Sequence, residues 1–263
     1  MLIGKQGPAT TSISTADAAS ITVRGKNLTT DLMGRLSFTQ YFHLLLTGRE
    51  ATEQQTYFLD LLLVAIAEHG LVPTNQAARM TYAADPTSLQ GAVAAGILGC
   101  GTVVLGTADL CGKFLVAAKK IMVEQDLAPA DAARHLAEKI RGEGGKAPGF
   151  GHPLHKPVDP RAERIFQLAD DRGVSGVHVE LARASVGAVH AAWGKPLPMN
   201  VSMAIAAVLL DLDFPPAMIK AIPILARTGS LLAHLAEEQE RPIGFLMASH
   251  AEGAIGYVPG DTG

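Results

Sequence analysis

Residues 144–163 read GGKAPGFGHPLHKPVDPRAE. Gly144, Gly145, Gly149 and Gly151 give this stretch backbone freedom, and glycine lets N–H groups approach a ligand closely. His152 and His155 can move protons near neutral pH. Lys146, Lys156 and Arg161 can hold anions, and an arginine fork can grip a carboxylate through two bonds. Asp159-Pro160-Arg161 opens a helix, with proline suited to the first turn. Loops held between rigid elements are where function concentrates. The plain alternative is a surface connection between two helices.

Three groups outside the loop also matter. Arg227 falls in a strongly apolar helical stretch, where an unpaired charge is costly, so a ligand or an ion pair is expected for it. His69 sits near a helix end, where it either binds a ligand or complements the helix dipole. Ser202 carries a hydroxyl without useful acidity; it can hold a water or bond back to its own helix.

Familiar loop motifs do not fit. A phosphate-binding P-loop around Gly145-Lys146 would need Gly at Ile140 and Ser or Thr at Ala147. Gly142-Glu143-Gly144-Gly145 lacks the dinucleotide-binding spacing. His152-x-x-His155 offers two metal ligands, but no third stands near in sequence, so no metal is expected.

The chain must position these groups with helices. It has 263 residues, 48% of them hydrophobic, and a net charge of −3. That suffices for one large domain or two unequal ones. No basic block is present, so nucleic acid is not an expected partner. Cys100 and Cys111 are the only cysteines, which fits a reducing, cytoplasmic setting rather than a disulfide framework. MLIGKQGPATTS has no secretory apolar core. The uncharged run Gly91–Ala108 holds five glycines, and it is read as a buried helix and turn rather than a membrane span.

Ser12-Ile13-Ser14 and Ile21-Thr22-Val23 predict a small hairpin around Ala16-Asp17, ended by Gly25. Capping patterns at Ser37/Gln40 and Thr52/Gln55 predict helices running to Gly48 and to about Glu68-His69-Gly70. Further helices are expected over 76–84, 88–98, 108–124, 130–141, 161–171, 177–193, 199–210, 217–228 and 230–240, with a polar tail from Ser249. The class is mainly α, with a small N-terminal β-hairpin.

The order Pro148-Gly149-Phe150-Gly151-His152, then Lys156, then Asp159-Pro160-Arg161-Ala162 resembles the citrate synthase superfamily. Ile21–Gly25, Ser37–Gly48, Glu68-His69-Gly70 and Gly106–Asp109 resemble other segments of it, so the likeness covers about residues 12–247. Within the superfamily, length and motifs most resemble citryl-CoA lyases and the lyase module of ATP-citrate lyase. The resemblance implies a helical homodimer with a large domain, 1–106 and 206–263, used for dimerisation, and a small CoA-binding domain, 107–205. It also implies carbon–carbon chemistry between an acetyl-CoA unit and a 2-oxo acid, with a CoA thioester as substrate.

Carried over by position, His152 is the histidine on the reacting carbonyl or hydroxyl oxygen, and it is expected to take the hydroxyl proton. His69, Arg161 and Arg227 hold the substrate. Arg241, in Arg241-Pro242-Ile243-Gly244-Phe245, resembles the arginine delivered across the dimer interface. Lys156, and more loosely Lys146, would hold CoA phosphate beside Gly149, Phe150 and Gly151. Two departures stand out. The synthases' Leu-His-Gly histidine is missing at Leu105-Gly106, as it is in the lyase module. The family's Asn-Val-Asp reads Asn200-Val201-Ser202, and Asp211 lies about two and a half turns further on. The leading expectation is a lyase giving acetyl-CoA, or a short acyl-CoA, and a 2-oxo acid such as oxaloacetate. Condensation in the reverse direction, a non-catalytic CoA or tricarboxylate binder, and a subunit supporting a partner enzyme are the alternatives.

Overall fold

The computed structural model describes residues 7, 9–152, 154–258 and 260; the expectation about the first residues falls largely outside them. Helix accounts for 63% of the chain and strand for 4%, so the mainly α class holds. The hairpin is present, later than expected. Ser14–Ala16 (β1) pairs antiparallel with Ile21–Val23 (β2), with Ser14 opposite Val23. Asp17 sets the turn, accepting the backbone N–H groups of Ala19 and Ser20 at 2.8 Å each. Gly25 does not end the sheet. Arg24 (φ 48°) and Gly25 (φ 79°) turn the chain into a third strand, Lys26–Asn27 (β3). One π-helical turn, Leu28–Leu32, follows, with the Asn27 side chain as its cap.

Eleven α-helices follow among the described residues. α1 (Phe38–Thr47) has the predicted capping box at Ser37 and Gln40, and ends at Gly48 in the left-handed region. α2 (Glu53–Ala67) stops before Glu68-His69-Gly70, leaving those residues free to form a turn. α3 (Pro73–Ala84) starts with proline, and α4 is Leu89–Leu98. α5 (Thr107–Glu124), α6 (Pro129–Gly142), α7 (Pro160–Asp171), α8 (Val177–Trp193) and α9 (Val201–Asp211) come next. A 3-10 turn, Pro216–Met218, precedes α10 (Ala221–Glu240), and α11 is Gly244–Ala254.

Two expectations near the end fail. The separate helices at 217–228 and 230–240 are one helix, α10, running through Gly229. An interior glycine costs about 1 kcal/mol relative to alanine, and burial of Leu231 and Leu235 on the same helix outweighs it. The polar tail from Ser249 begins inside α11, a helix that the sequence reading did not include.

The chain divides into two units, Met1–Asp60 and Leu61–Gly263. In the first, Val23, Leu32 and Leu44 form a core under β2 and α1. In the second, the helices pack as two sets. α3 lies against α4, α10 and α11, while α5, α7 and α8 pack on α9 and α6 lies against α5 and α8. α9 is buried continuously from Met203 to Leu210, as an all-apolar helix must be. α4 departs from expectation: one face is buried through Ala92 and Gly96, while Leu98 is exposed. None of the described helices is long and apolar enough to cross a membrane.

Gly96 explains how α4 seats on its neighbours. A Cβ there would lie 2.7 Å from the Leu231 methyl carbons and 3.0 Å from the Thr74 carbonyl oxygen. Gly96→Ala is therefore expected to lower stability by about 1–3 kcal/mol, read as a fall in the denaturation midpoint; an unchanged midpoint would refute this close approach.

Candidate functional site

The glycine-rich loop is pinned to the start of α9. Gly151 N–H donates to the Pro198 carbonyl at 2.8 Å, and Asn200 N–H donates to the Gly149 carbonyl at 2.8 Å. Phe150 and Met199 form one antiparallel bridge between them. Asn200 spans the same junction: Nδ2 donates to the Gly151 carbonyl at 3.2 Å, and Oδ1 caps α9 by accepting Ser202 N–H at 3.1 Å. Gly149 has φ 75°, and a Cβ there would meet Cys111 Sγ at 2.7 Å and Met203 Cβ at 2.9 Å. Backbone conformation and space both require glycine here.

Asp159 makes the second tie. Its side chain is fully buried. Oδ1 accepts from the Arg161 backbone N–H at 3.1 Å and Nε at 3.0 Å; Oδ2 accepts from Arg161 Nη2 at 2.9 Å and Val201 N–H at 3.0 Å. One carboxylate thus caps α7, holds the first turn of α9 and orients Arg161. Burial pushes the Asp159 pKa up, but Arg161 and the backbone donors outweigh it and hold the carboxyl below its usual range. In sequence, the nearest carboxylate to Ser202 is Asp211; in space, Asp159 bonds to the residue beside it. Asp211 instead accepts the N–H groups of Gly176, His178 and Val179 and a bond from His178 Nδ1, closing the start of α8.

A cavity of about 460 Å³ opens between the two helix sets of the second unit. His69 and Arg227 line it from one set; Lys146, Gly149, Phe150, Gly151, His152, Arg161 and Ser202 line it from the other. Nine of the eleven residues singled out from sequence meet there. Lys156 and Arg241 do not line it; both are exposed. Arg241 ends α10, where its carbonyl accepts Arg79 Nη2 at 3.2 Å. A larger cleft of about 530 Å³ between α7 and α8 is mainly apolar. Its Arg183 is already paired with Asp170, and its His190 contacts the Leu197 carbonyl, so the smaller cavity holds the reactive groups.

Arg227 is buried, with its Nη1 on Asn75 Oδ1 at 3.0 Å and its Nε without a partner among the described residues. A buried guanidinium donor left open beside a cavity suits an anionic ligand. Burial pulls its pKa down, with Glu68 offsetting part of this. Glu68 holds the turn before α3. It accepts His69 N–H at 2.8 Å, Gly70 N–H and the Ser230 hydroxyl, and contacts His234 Nε2 at 3.1 Å. Burial pushes the Glu68 carboxyl up, but these bonds outweigh it and leave it below its usual range. Asn75, Ser230 and His234 gave no signal in the sequence, because their roles come from α3 and α10 lying side by side.

Three imidazoles converge at the rim. His152 and His155 stack at 4.3 Å between centroids, and His69 lies 5.5 Å from each. His69 Nε2 is 3.4 Å from His155 Nε2. Sequence offered no third group beside His152 and His155; the fold brings His69 from 86 residues before His155. The three contribute ring nitrogens within 4.8 Å of one another, a spacing that also admits a cation. However, His152 Nδ1 accepts the backbone N–H groups of Leu154 (3.1 Å) and His155 (3.0 Å), and the cationic Arg161 and Arg227 line the same cavity. Both features favour proton sharing over a cation. Burial, then His155, lowers the His152 pKa, with Asp159 opposing and Arg161 and His69 adding to the effect. The neutral ring therefore keeps its proton on Nε2. With Nδ1 occupied, Nε2 is the ring nitrogen of His152 left to donate a hydrogen bond.

The family described as citrate synthase, C-terminal domain, matches residues 8–244. The chain belongs to the citrate synthase family. The structure of citryl-CoA lyase from Hydrogenobacter thermophilus matches with a TM-score of 0.83 and 28% identity, covering 98% of this chain and 97% of that one. ATP citrate lyase from Methanothrix soehngenii shares the fold at a TM-score of 0.77 and 20% identity, over 99% of this chain and 43% of its own. Citrate synthase from Heyndrickxia coagulans is 28% identical over 209 residues, 78% of this chain and 53% of that protein. The chain spans about half the length of the curated relatives it matches.

The low Asp159 pKa has a testable consequence. A carboxyl whose folded pKa is depressed stabilises the fold above its unfolded pKa of about 3.9, and loses that contribution as pH falls through the folded value. Asp159→Asn should lower stability at pH 7 and flatten the loss of stability seen on acidifying below about pH 4. Denaturant midpoints measured from pH 7 to pH 2 check this; parallel curves for wild type and variant would contradict it.

Proposed function

We propose that this chain is a carbon–carbon lyase of the citryl-CoA lyase type, cleaving citryl-CoA or a similar 3-hydroxyacyl-CoA to an acyl-CoA and a 2-oxo acid. The observation that carries the reading is the match to citryl-CoA lyase over nearly all of both chains. The citrate synthase from Heyndrickxia coagulans, by contrast, is covered over only 53% of its length. An ATP citrate lyase of the same fold has been solved with citrate and coenzyme A, ligands of the chemistry proposed here.

The residues take these roles. Arg161 and Arg227 hold the carboxylates of the 2-oxo acid portion, and His69 lies against it. His152 Nε2–H donates to the reacting oxygen and polarises the carbonyl that forms. Gly149 to Gly151 and Lys146 receive the CoA portion, and exposed Lys156 serves its phosphates. Ser202 holds a water that protonates the departing enolate. We carry forward, as part of this proposal, a division into a domain of 1–106 with 206–263 and one of 107–205.

A second reading is condensation, favoured by relatives named citrate synthase. A third is a binder without turnover, favoured by Ser202 where the family has aspartate. Purified protein mixed with citryl-CoA should release oxaloacetate and acetyl-CoA, slowly, because a missing proton-transfer group costs about 10²–10⁴-fold in rate. Ser202→Asp should raise that rate, and His152→Ala should abolish the gain. A Ser202→Asp variant that folds and binds CoA yet neither cleaves citryl-CoA nor exchanges acetyl-CoA protons would favour the binder.

Arg241 points to a dimer in this proposal, since it is exposed and outside its own chain's cavity. Mixing inactive His152→Ala and Arg241→Ala proteins should restore activity in heterodimers. Demonstrated subunit exchange without recovery would remove Arg241 from the partner's site.

A further inference from the structure

If His152 donates, the hydroxyl proton of the substrate needs another acceptor; the inference rests on the lyase reading above. We propose that His69 takes that proton at Nδ1 while passing its Nε2 proton to Nε2 of His155, which acts as a positioning residue and relay to solvent. The two Nε2 atoms face each other at 3.4 Å, with rings near perpendicular at 79°. A hydrogen bond between two imidazoles in such a contact needs a proton on one Nε2 and a lone pair on the other. With His69 as the donor, its Nδ1 keeps a lone pair. His69 lines the cavity, whereas His155 stands behind it, half-buried and stacked on His152.

The step balances. The substrate O–H proton moves to His69 Nδ1, and the bonding pair it leaves becomes the second bond of the new carbonyl. The carbon–carbon pair moves onto the thioester enolate, which takes a proton from water. His69 returns to neutral by giving its Nε2 proton to His155, and His155 releases one to solvent. Asp159 and Arg161 act on the neighbouring His152. Glu68 fixes the His69 backbone, and Arg227 lines the cavity from the same helix set as His69. Lys156 follows His155 in the chain. A proton delivered among these cations must leave quickly, and the half-exposed ring gives it a way out.

The test compares wild type, His155→Ala and His155→Phe on citryl-CoA, with CoA binding by calorimetry as the check on folding. Phenylalanine keeps the stack on His152 and removes the relay. Both variants should lose about 10²-fold or more in kcat, with KM nearly unchanged. Added imidazole should restore part of the rate to His155→Ala and none to His155→Phe. The inference is overturned if His155→Phe keeps the wild-type kcat, or if the loss in His155→Ala sits in KM and imidazole does nothing. It is equally overturned if a chelator abolishes wild-type turnover and added Zn²⁺ restores it. A wild-type protein that binds CoA but never cleaves citryl-CoA would instead remove the lyase reading, and this step with it.

Discussion

The site depends on one buried carboxylate. Asp159 satisfies its oxygens with donors from two helix starts and one guanidinium. A charge out of contact with water must be met in this way or it destabilises the fold. Meeting it fixes three things together: where α7 begins, where α9 begins, and the plane of Arg161. The glycine loop is then bonded to the residues just before α9. Lys146, His152, Arg161 and Ser202 are consequently placed by one continuous set of bonds, although 56 residues separate the first from the last.

Much of this was legible in the sequence, and the reasons are local. Capping residues announced α1 and α2, and the Asp-Pro-Arg signature announced the start of α7 and placed Arg161 there. Those features act over a few residues, so a few residues reveal them. Gly229 misled for the same reason: read locally it breaks a helix, but α3 and α4 pack along α10 and carry it through. The third strand was hidden because Arg24 adopts a left-handed conformation that its residue type does not advertise.

What the sequence could not convey was which polar groups would meet. His69 and His155 carry no mark of their contact. Asn75 looks like any polar residue in a helix until Arg227 arrives from α10. The role of His152 also turned on geometry, since the backbone N–H groups that occupy Nδ1 come from the bend of its own loop. Residue type had offered a base; the loop's curvature sets two N–H groups on one of its two ring nitrogens. Such reversals are expected where function and folding impose different demands on the same atoms.

The pinning of the loop to α9 has a mechanical side. Arg161, His152 and Ser202 belong to one bonded piece, whereas Arg227 and His69 are held by the Glu68, Asn75 and Ser230 network on α3 and α10. The cavity is therefore a vice with two stiff jaws, each carrying its own arginine. A molecule with anionic ends could engage both jaws only if its length matched the distance between them. Ligands of equal charge but different reach would be sorted by span, as a caliper sorts rods.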